Sequence, residues 1–140
     1  MGMKISTSYT GGMRFEGGSG DARVVMDARE EAGGRGVADS PKQMVLHGLA
    51  GCTGMDVAAI LKRKKVSYDA FEIDVEAELT RVHPKVFKKI QLAFRFVADP
   101  QDRPTIERAI VLSKSQFCGV SSMLSKTAEI GWELHITPRS

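Results

Sequence analysis

Two cysteines are the side chains in this 140-residue sequence best suited to covalent chemistry. Cys52 sits in Leu49-Ala50-Gly51-Cys52-Thr53-Gly54-Met55-Asp56, and Cys118 follows 66 residues later in Ser113-Lys114-Ser115-Gln116-Phe117-Cys118-Gly119-Val120-Ser121. A thiol among apolar neighbours is either a small inert hydrophobe or, once ionised, a nucleophile and redox group. The sequence alone leaves both readings open, because it does not bring the two cysteines together in space. No C-x-x-C occurs and the three histidines do not cluster, so no structural metal site is expected. Two cysteines without an export signal point to a reducing, cytoplasmic compartment, where thiols are more often catalytic or redox-active than structural.

Other polar residues surround Cys52. Asp56 is one turn further along on the same helical face. A bare carboxylate there raises the thiol pKa, so a buried arginine or backbone donor is expected to pair with it. His47, five residues before Cys52, falls on another face of an unbroken helix and suits packing or an interface better than base catalysis.

The element that must position these groups is the stretch Ser40–Lys65. Ser40-Pro41 is a helix start, and Gln43 completes a capping box. From Met44 to Leu61 only His47 and Asp56 are strongly polar, so the helix is expected to be buried on nearly all sides. Gly48, Gly51 and Gly54 recur every third residue, a pattern that admits a close backbone neighbour. Lys62-Arg63-Lys64-Lys65 places cations at the negative end of the helix dipole.

Composition bounds the rest. Apolar residues make up 42% and charged residues 26%, the net charge is +3 and the pI is near 9.0. That is one ordinary globular domain, residues 1–140, able to bury its own core. No aromatic-studded basic stripe suggests nucleic-acid binding, and the apolar runs are too short to cross a membrane. Met1-Gly2-Met3-Lys4-Ile5-Ser6 fits a loose myristoylation pattern, but Lys4–Tyr9 alternates like a first strand and no lipidation is expected.

In chain order, residues 3–10, 13–16 and 22–27 read as strands of a small meander, with turns at Gly11-Gly12 and Gly17–Asp21. A polar, glycine-rich loop, 28–39, leads into the helix. Tyr68–Arg81 alternates with Phe71, Ile73, Val75, Ala77 and Leu79 on one face. Phe87–Ala98 follows with Ile90, Leu92, Phe94 and Phe96 in register. A second helix begins near Pro104, carrying Ile106, Ala109, Ile110 and Ser113, and loosens around Cys118. Gly131–Thr137 is a last strand. The order βββ-α-ββ-α-β implies an α+β fold of antiparallel sheets with helices on one side.

Several of these segments resemble the OsmC/Ohr family, the osmotically inducible protein C and organic hydroperoxide resistance proteins. The resemblance rests on Tyr9-Thr10-Gly11-Gly12, on Ser40-Pro41, on Gly51-Cys52-Thr53-Gly54-Met55-Asp56-Val57, on Phe117-Cys118-Gly119-Val120-Ser121 and on Thr127-Ala128-Glu129-Ile130. It spans essentially the whole chain and is similar to an OsmC-like branch distinct from the named peroxidases. It implies sheets packed on a long buried central helix in an intertwined homodimer, with each site shared between subunits. It also implies a thiol peroxidase acting on organic hydroperoxides. Cys52 would be the peroxidatic residue and Cys118 the resolving one. An external dithiol, often a lipoylated protein, would restore the reduced form, with no bound cofactor.

An activating cation is required to lower the thiol pKa and polarise the peroxide. The family draws its arginine from the amino-terminal hairpin, which suggests Arg14, with Arg23 as the alternative. One position departs from the pattern: Lys42 stands where the peroxidases carry a glutamate that holds this arginine. Lys42 is first of all an exposed first-turn lysine; beyond that it would stabilise a thiolate itself or mark a branch that no longer reduces peroxides. On an unbroken helix it would sit about 15 Å from Cys52 along the axis. Glu30 and Glu31 are weak substitutes for the missing carboxylate. Two further readings follow: a non-catalytic dimer that binds an apolar or electrophilic small molecule in the same pocket, and, less favoured, a structural or stress-interaction protein.

Overall fold

The computed structural model describes residues 2–140 and is α+β, with two three-stranded sheets. The myristoylation pattern begins on Met1, which lies outside the described residues. The chain divides into two compact units, Met1–His47 and Gly48–Ser140, with the boundary inside the long helix.

In the first unit, β1 (Ser6–Gly11), β2 (Arg14–Gly18) and β3 (Val24–Met26) form the expected antiparallel meander in the order β1-β2-β3. Gly11 and Gly12 turn the first hairpin at φ 114° and 58°, backbone conformations costly for any residue with a Cβ. The loop after β3 is not loosely held. Asp27 is buried, and its carboxylate accepts hydrogen bonds from the backbone N–H groups of Ala28, Arg35 and Val37. Those donors hold its carboxyl below the usual carboxylate range, assisted by the charge of Arg14 and opposed by burial.

Helix α1 (Pro41–Arg63) begins as its sequence dictates. Ser40 N–H donates to Gln43 Oε1 at 2.8 Å, and Gln43 N–H donates to Ser40 Oγ at 3.3 Å, the two reciprocal bonds of a capping box. Burial differs from expectation. Only Leu49, Thr53, Val57, Ile60 and Leu61 are buried, a single stripe at spacings of three and four, while Val45 and Met55 are 41% and 76% exposed. The glycines divide likewise: Gly54 packs on Ile73, whereas nothing lies within 4 Å of a Cβ placed at Gly48 or Gly51. The helix is also long and apolar enough to cross a membrane by length and composition, which corrects the estimate from uncharged run length. One interior carboxylate, Asp56, interrupts the run without lowering the mean hydropathy far.

The second unit holds β4 (Tyr68–Leu79), β5 (Phe87–Ala98), α2 (Arg103–Leu112), α3 (Gly119–Leu124) and β6 (Glu129–Thr137). β5 is central, and its alternation is realised in full: Ile90, Leu92, Phe94 and Phe96 are buried. Each such side chain contributes roughly 1.5–3 kcal/mol through loss of apolar surface. Phe71 of β4 stacks on Phe96 with ring centroids 4.2 Å apart. β4 and β5 are antiparallel, but β6 runs parallel to β5, so the sheet is mixed rather than wholly antiparallel. The reason is the connection: α2, a π-helical turn (Ser113–Phe117) and α3 carry the chain back along the sheet before β6 begins, which a two-residue hairpin does not do.

Candidate functional site

The two thiols meet in the second unit. Cys52 Sγ, Cys118 Sγ and an Asp56 carboxylate oxygen all lie within 4.8 Å of one another. Both cysteines are free. α1 supplies Cys52 and Asp56 from adjacent turns, and the segment between α2 and α3 supplies Cys118.

Cys118 is positioned by local backbone chemistry. The π-helical turn Ser113–Phe117 ends at it, its own N–H donates to Ser113 C=O at 2.7 Å, and it is the N-cap of α3. Its sulfur accepts from Ser121 N–H at 3.3 Å, as a capping oxygen would, and from Thr53 Oγ1 at 3.5 Å. The thiol is almost fully buried, at 3% exposure. A π turn is a locally strained piece of helix often found at functional sites, and here it sets the position of one thiol.

Cys52 is half-buried and differently surrounded. Burial pushes its thiol above the ordinary value of 9.0; Cys118 and the Asp56 carboxylate push the same way, and the Val120 backbone opposes them. None of these groups is a cation. Asp56 is held by Ser113, whose hydroxyl donates to Asp56 Oδ2 at 2.9 Å. The expected arginine or backbone donor is therefore replaced by a neutral hydroxyl from the end of α2.

The remaining sequence candidates, Arg14, Arg23, Glu30, Glu31, Lys42 and His47, belong to the first unit. Arg14 pairs with Glu16 at 3.2 Å on an exposed strand and lines a cleft of about 400 Å³ with Thr10, Met13, Asp27 and Arg35. Arg23 is exposed at the far end of the same meander, beside Gly18 and Gly20. α1 is unbroken through its glycines, so Lys42 and Cys52 keep their ten-residue helical separation and Lys42 is exposed. His47 places Nε2 2.6 Å from Asp39 Oδ2 in an exposed pair, rather than packing in a core. Glu30 and Glu31 are exposed in a single 3-10 turn. Lys114, four residues before Cys118, donates to the Ile130 carbonyl at 2.9 Å, and burial lowers its pKa.

Three residues at the thiol pair were not read as site residues from the sequence: Thr53, Ser113 and Ser121, all buried. Each had a signal. Ser113 continues the apolar face of Ala109 by one turn, Thr53 continues that of Leu49, and Ser121 stands three residues after a potential N-cap. Asp27, an acidic residue ending a strand before a glycine-rich loop, also carried the mark of a side chain that binds its own backbone.

Comparison with known proteins agrees with this architecture. The family model described as OsmC-like protein matches residues 33–133. The chain is 29% identical to Protein YhfA of Escherichia coli over 129 residues, covering 91% of this chain and 93% of the relative. Among solved structures, an OsmC-like protein from Mycoplasma pneumoniae superposes with a TM-score of 0.83 at 15% identity, covering 98% of each chain. The organic hydroperoxide resistance protein OhrB of Bacillus subtilis gives a TM-score of 0.67 at 17% identity, covering 94% of this chain and 96% of the other. These structural likenesses concern the fold, whereas the family match concerns the sequence itself. A thiol pair joined across α1 and the π turn, on this fold and with this match, places the chain in the OsmC-like protein family.

Proposed function

We propose that this protein reduces organic hydroperoxides through the Cys52–Cys118 pair. The observation that carries the reading is that two thiols 66 residues apart in sequence lie within 4.8 Å in a half-buried cluster. The Cys52 thiolate attacks the terminal peroxide oxygen; the O–O bond breaks, the alkoxide leaves and takes a proton to become the alcohol, and Cys52 becomes a sulfenic acid. Cys118 then attacks the Cys52 sulfur, an S–S bond forms and hydroxide leaves as water. The pair has lost two electrons and the peroxide has gained them. An external dithiol, lipoylated or otherwise, restores both thiols by exchange. A disulfide needs an S–S length near 2.05 Å, so the pair closes by side-chain rotation and a small shift of the π turn. Phe117, more than half exposed beside Cys118, and the apolar residues of α1 favour alkyl hydroperoxides over hydrogen peroxide.

A homodimer completes this reading. The outer face of α1, with exposed Val45 and Met55 and uncontacted Gly48 and Gly51, is apolar surface that a second copy would cover. Exposed Tyr9, Met13 and Phe15 on the meander are of the same kind. The dimer would also supply the cation that Cys52 lacks, with Arg14 as the proposed source and Arg23 and Lys42 as alternatives. The setting is soluble and cytoplasmic.

The test is to treat the reduced protein with cumene hydroperoxide, hydrogen peroxide or buffer and map disulfides by mass spectrometry. Rapid Cys52–Cys118 bonding with the organic peroxide is the expected result. Slow oxidation of wild type and Cys52→Ser alike, whichever oxidant is used, overturns it and favours a second reading. That reading is a non-catalytic dimer binding an apolar or electrophilic small molecule, and the raised Cys52 pKa with no cation among its causes supports it.

A further inference from the structure

We infer that the reduced protein binds a divalent cation of the zinc class at Cys52, Cys118 and Asp56. Their ligand atoms all lie within 4.8 Å of one another. A tetrahedral ion at the usual Zn–S and Zn–O distances holds two sulfurs and an oxygen about 3.6–3.8 Å apart. The cluster therefore needs to contract by about 1.2 Å at most, within the reach of side-chain rotation.

The donor set selects the metal. Two thiolates and one carboxylate suit a borderline or soft ion, and exclude magnesium and calcium, which take oxygen ligands. Three protein ligands leave a fourth position for water or an exogenous thiol, the arrangement of an open site rather than a closed structural one. Binding releases the two thiol protons and leaves a net single negative charge from three anionic donors and one dication.

The surrounding hydrogen bonds resemble those that orient metal ligands. Ser113 Oγ fixes Asp56 through Oδ2, while Thr53 Oγ1 and Ser121 N–H donate to the Cys118 sulfur. Donors to a bound thiolate and carboxylate hold ligand geometry without competing for the ion. Sequence spacing conceals the site, because its ligands are four and 66 residues apart and one of them is an aspartate.

The site exists only while both thiols are reduced. Disulfide formation removes two of three ligands, so the ion and the disulfide exclude each other. Metal binding by the reduced protein does not depend on the peroxide reaction, and the two can fail separately.

The experiment uses the full-length reduced protein and Co²⁺ as the spectroscopic probe, with Zn²⁺ as competitor. One Co²⁺ per chain is expected, with thiolate charge-transfer and tetrahedral d–d bands that Zn²⁺ abolishes. Cys118→Ser and Asp56→Asn should each weaken binding by more than the loss from Ser113→Ala, which as a supporting donor should cost about 10–100-fold. Circular dichroism checks that each variant is folded, and Asp56→Asn keeps the side-chain shape should a cysteine variant fail to fold. Protein oxidised by diamide, which takes up two electrons and two protons as the disulfide forms, should bind none. Wild type without thiolate bands, or Asp56→Asn and Cys118→Ser binding as tightly as wild type, overturns the inference. Metal binding by the diamide-oxidised protein overturns it as well.

Discussion

Cys52 and Cys118 share one cluster, yet the chain holds them in opposite ways. Cys118 is nearly inaccessible, with its sulfur hydrogen-bonded by Thr53 and Ser121 and its backbone fixed by a π turn and a helix cap. Cys52 is more open, on a regular helix and beside a carboxylate, and burial, Cys118 and Asp56 push its pKa up. The open thiol is the one a peroxide can reach. The enclosed thiol has the donors that would hold a charged sulfur. The two thiols thus differ in access and in hydrogen-bond support, and the peroxidase reading needs a cation at the accessible one.

The largest expected effect comes from removing the enclosed partner. Cys118→Ser should abolish peroxide-driven intrachain disulfide formation, seen as loss of the fast-migrating band on non-reducing gels. An undiminished band would break the pairing. Next is the pH dependence of the reduced fold. A Cys52 pKa raised above its unfolded value means that the native state holds its proton more tightly. The corresponding stability is present in full below about pH 9 and is lost as pH rises above the unfolded pKa towards the folded one. Denaturant titrations should show this decline, and Cys52→Ser should lessen it.

Asp56→Asn sharpens the contrast further. Removing the negative charge that raises Cys52 should move the midpoint of its alkylation by iodoacetamide to lower pH, read on a Cys118→Ser background. An unmoved midpoint would mean that the Asp56 charge does not set the Cys52 pKa. The smallest effect is expected from Thr53→Val, which keeps the side-chain outline but removes the hydroxyl that donates to Cys118. A loss of about 1 kcal/mol in urea unfolding is expected, with slower disulfide closure.

The legibility of this contrast in the sequence was uneven. Alternation along Phe87–Ala98 specified β5 and its four buried side chains, because strand period and burial are the same fact seen twice. The capping box at Ser40 and Gln43 was equally local and equally readable. Strand direction was not. Nothing in Gly131–Thr137 says whether β6 runs with or against β5, since alternation is blind to polarity and only the returning helices decide it. The apolar composition of α1 was visible, but which residues the chain itself covers was not. Composition reports what is apolar, not which of those side chains the fold covers. At the site, Cys52, Cys118 and Asp56 were each singled out in the sequence, and the structure brings them together. Their meeting rests on a π turn at Ser113–Phe117 that no periodicity announces, and on Thr53, Ser113 and Ser121, whose small hydroxyls read as ordinary helix filler.

The division of roles between the thiols is tested most directly by trapping the first oxidation product. The Cys118→Ser and Cys52→Ser variants, each treated with one equivalent of cumene hydroperoxide in the presence of dimedone, should differ sharply. A dimedone adduct should form rapidly on Cys52 in Cys118→Ser, and little or none on Cys118 in Cys52→Ser. Faster labelling of Cys118 than of Cys52 would contradict the account and reverse the roles of the pair.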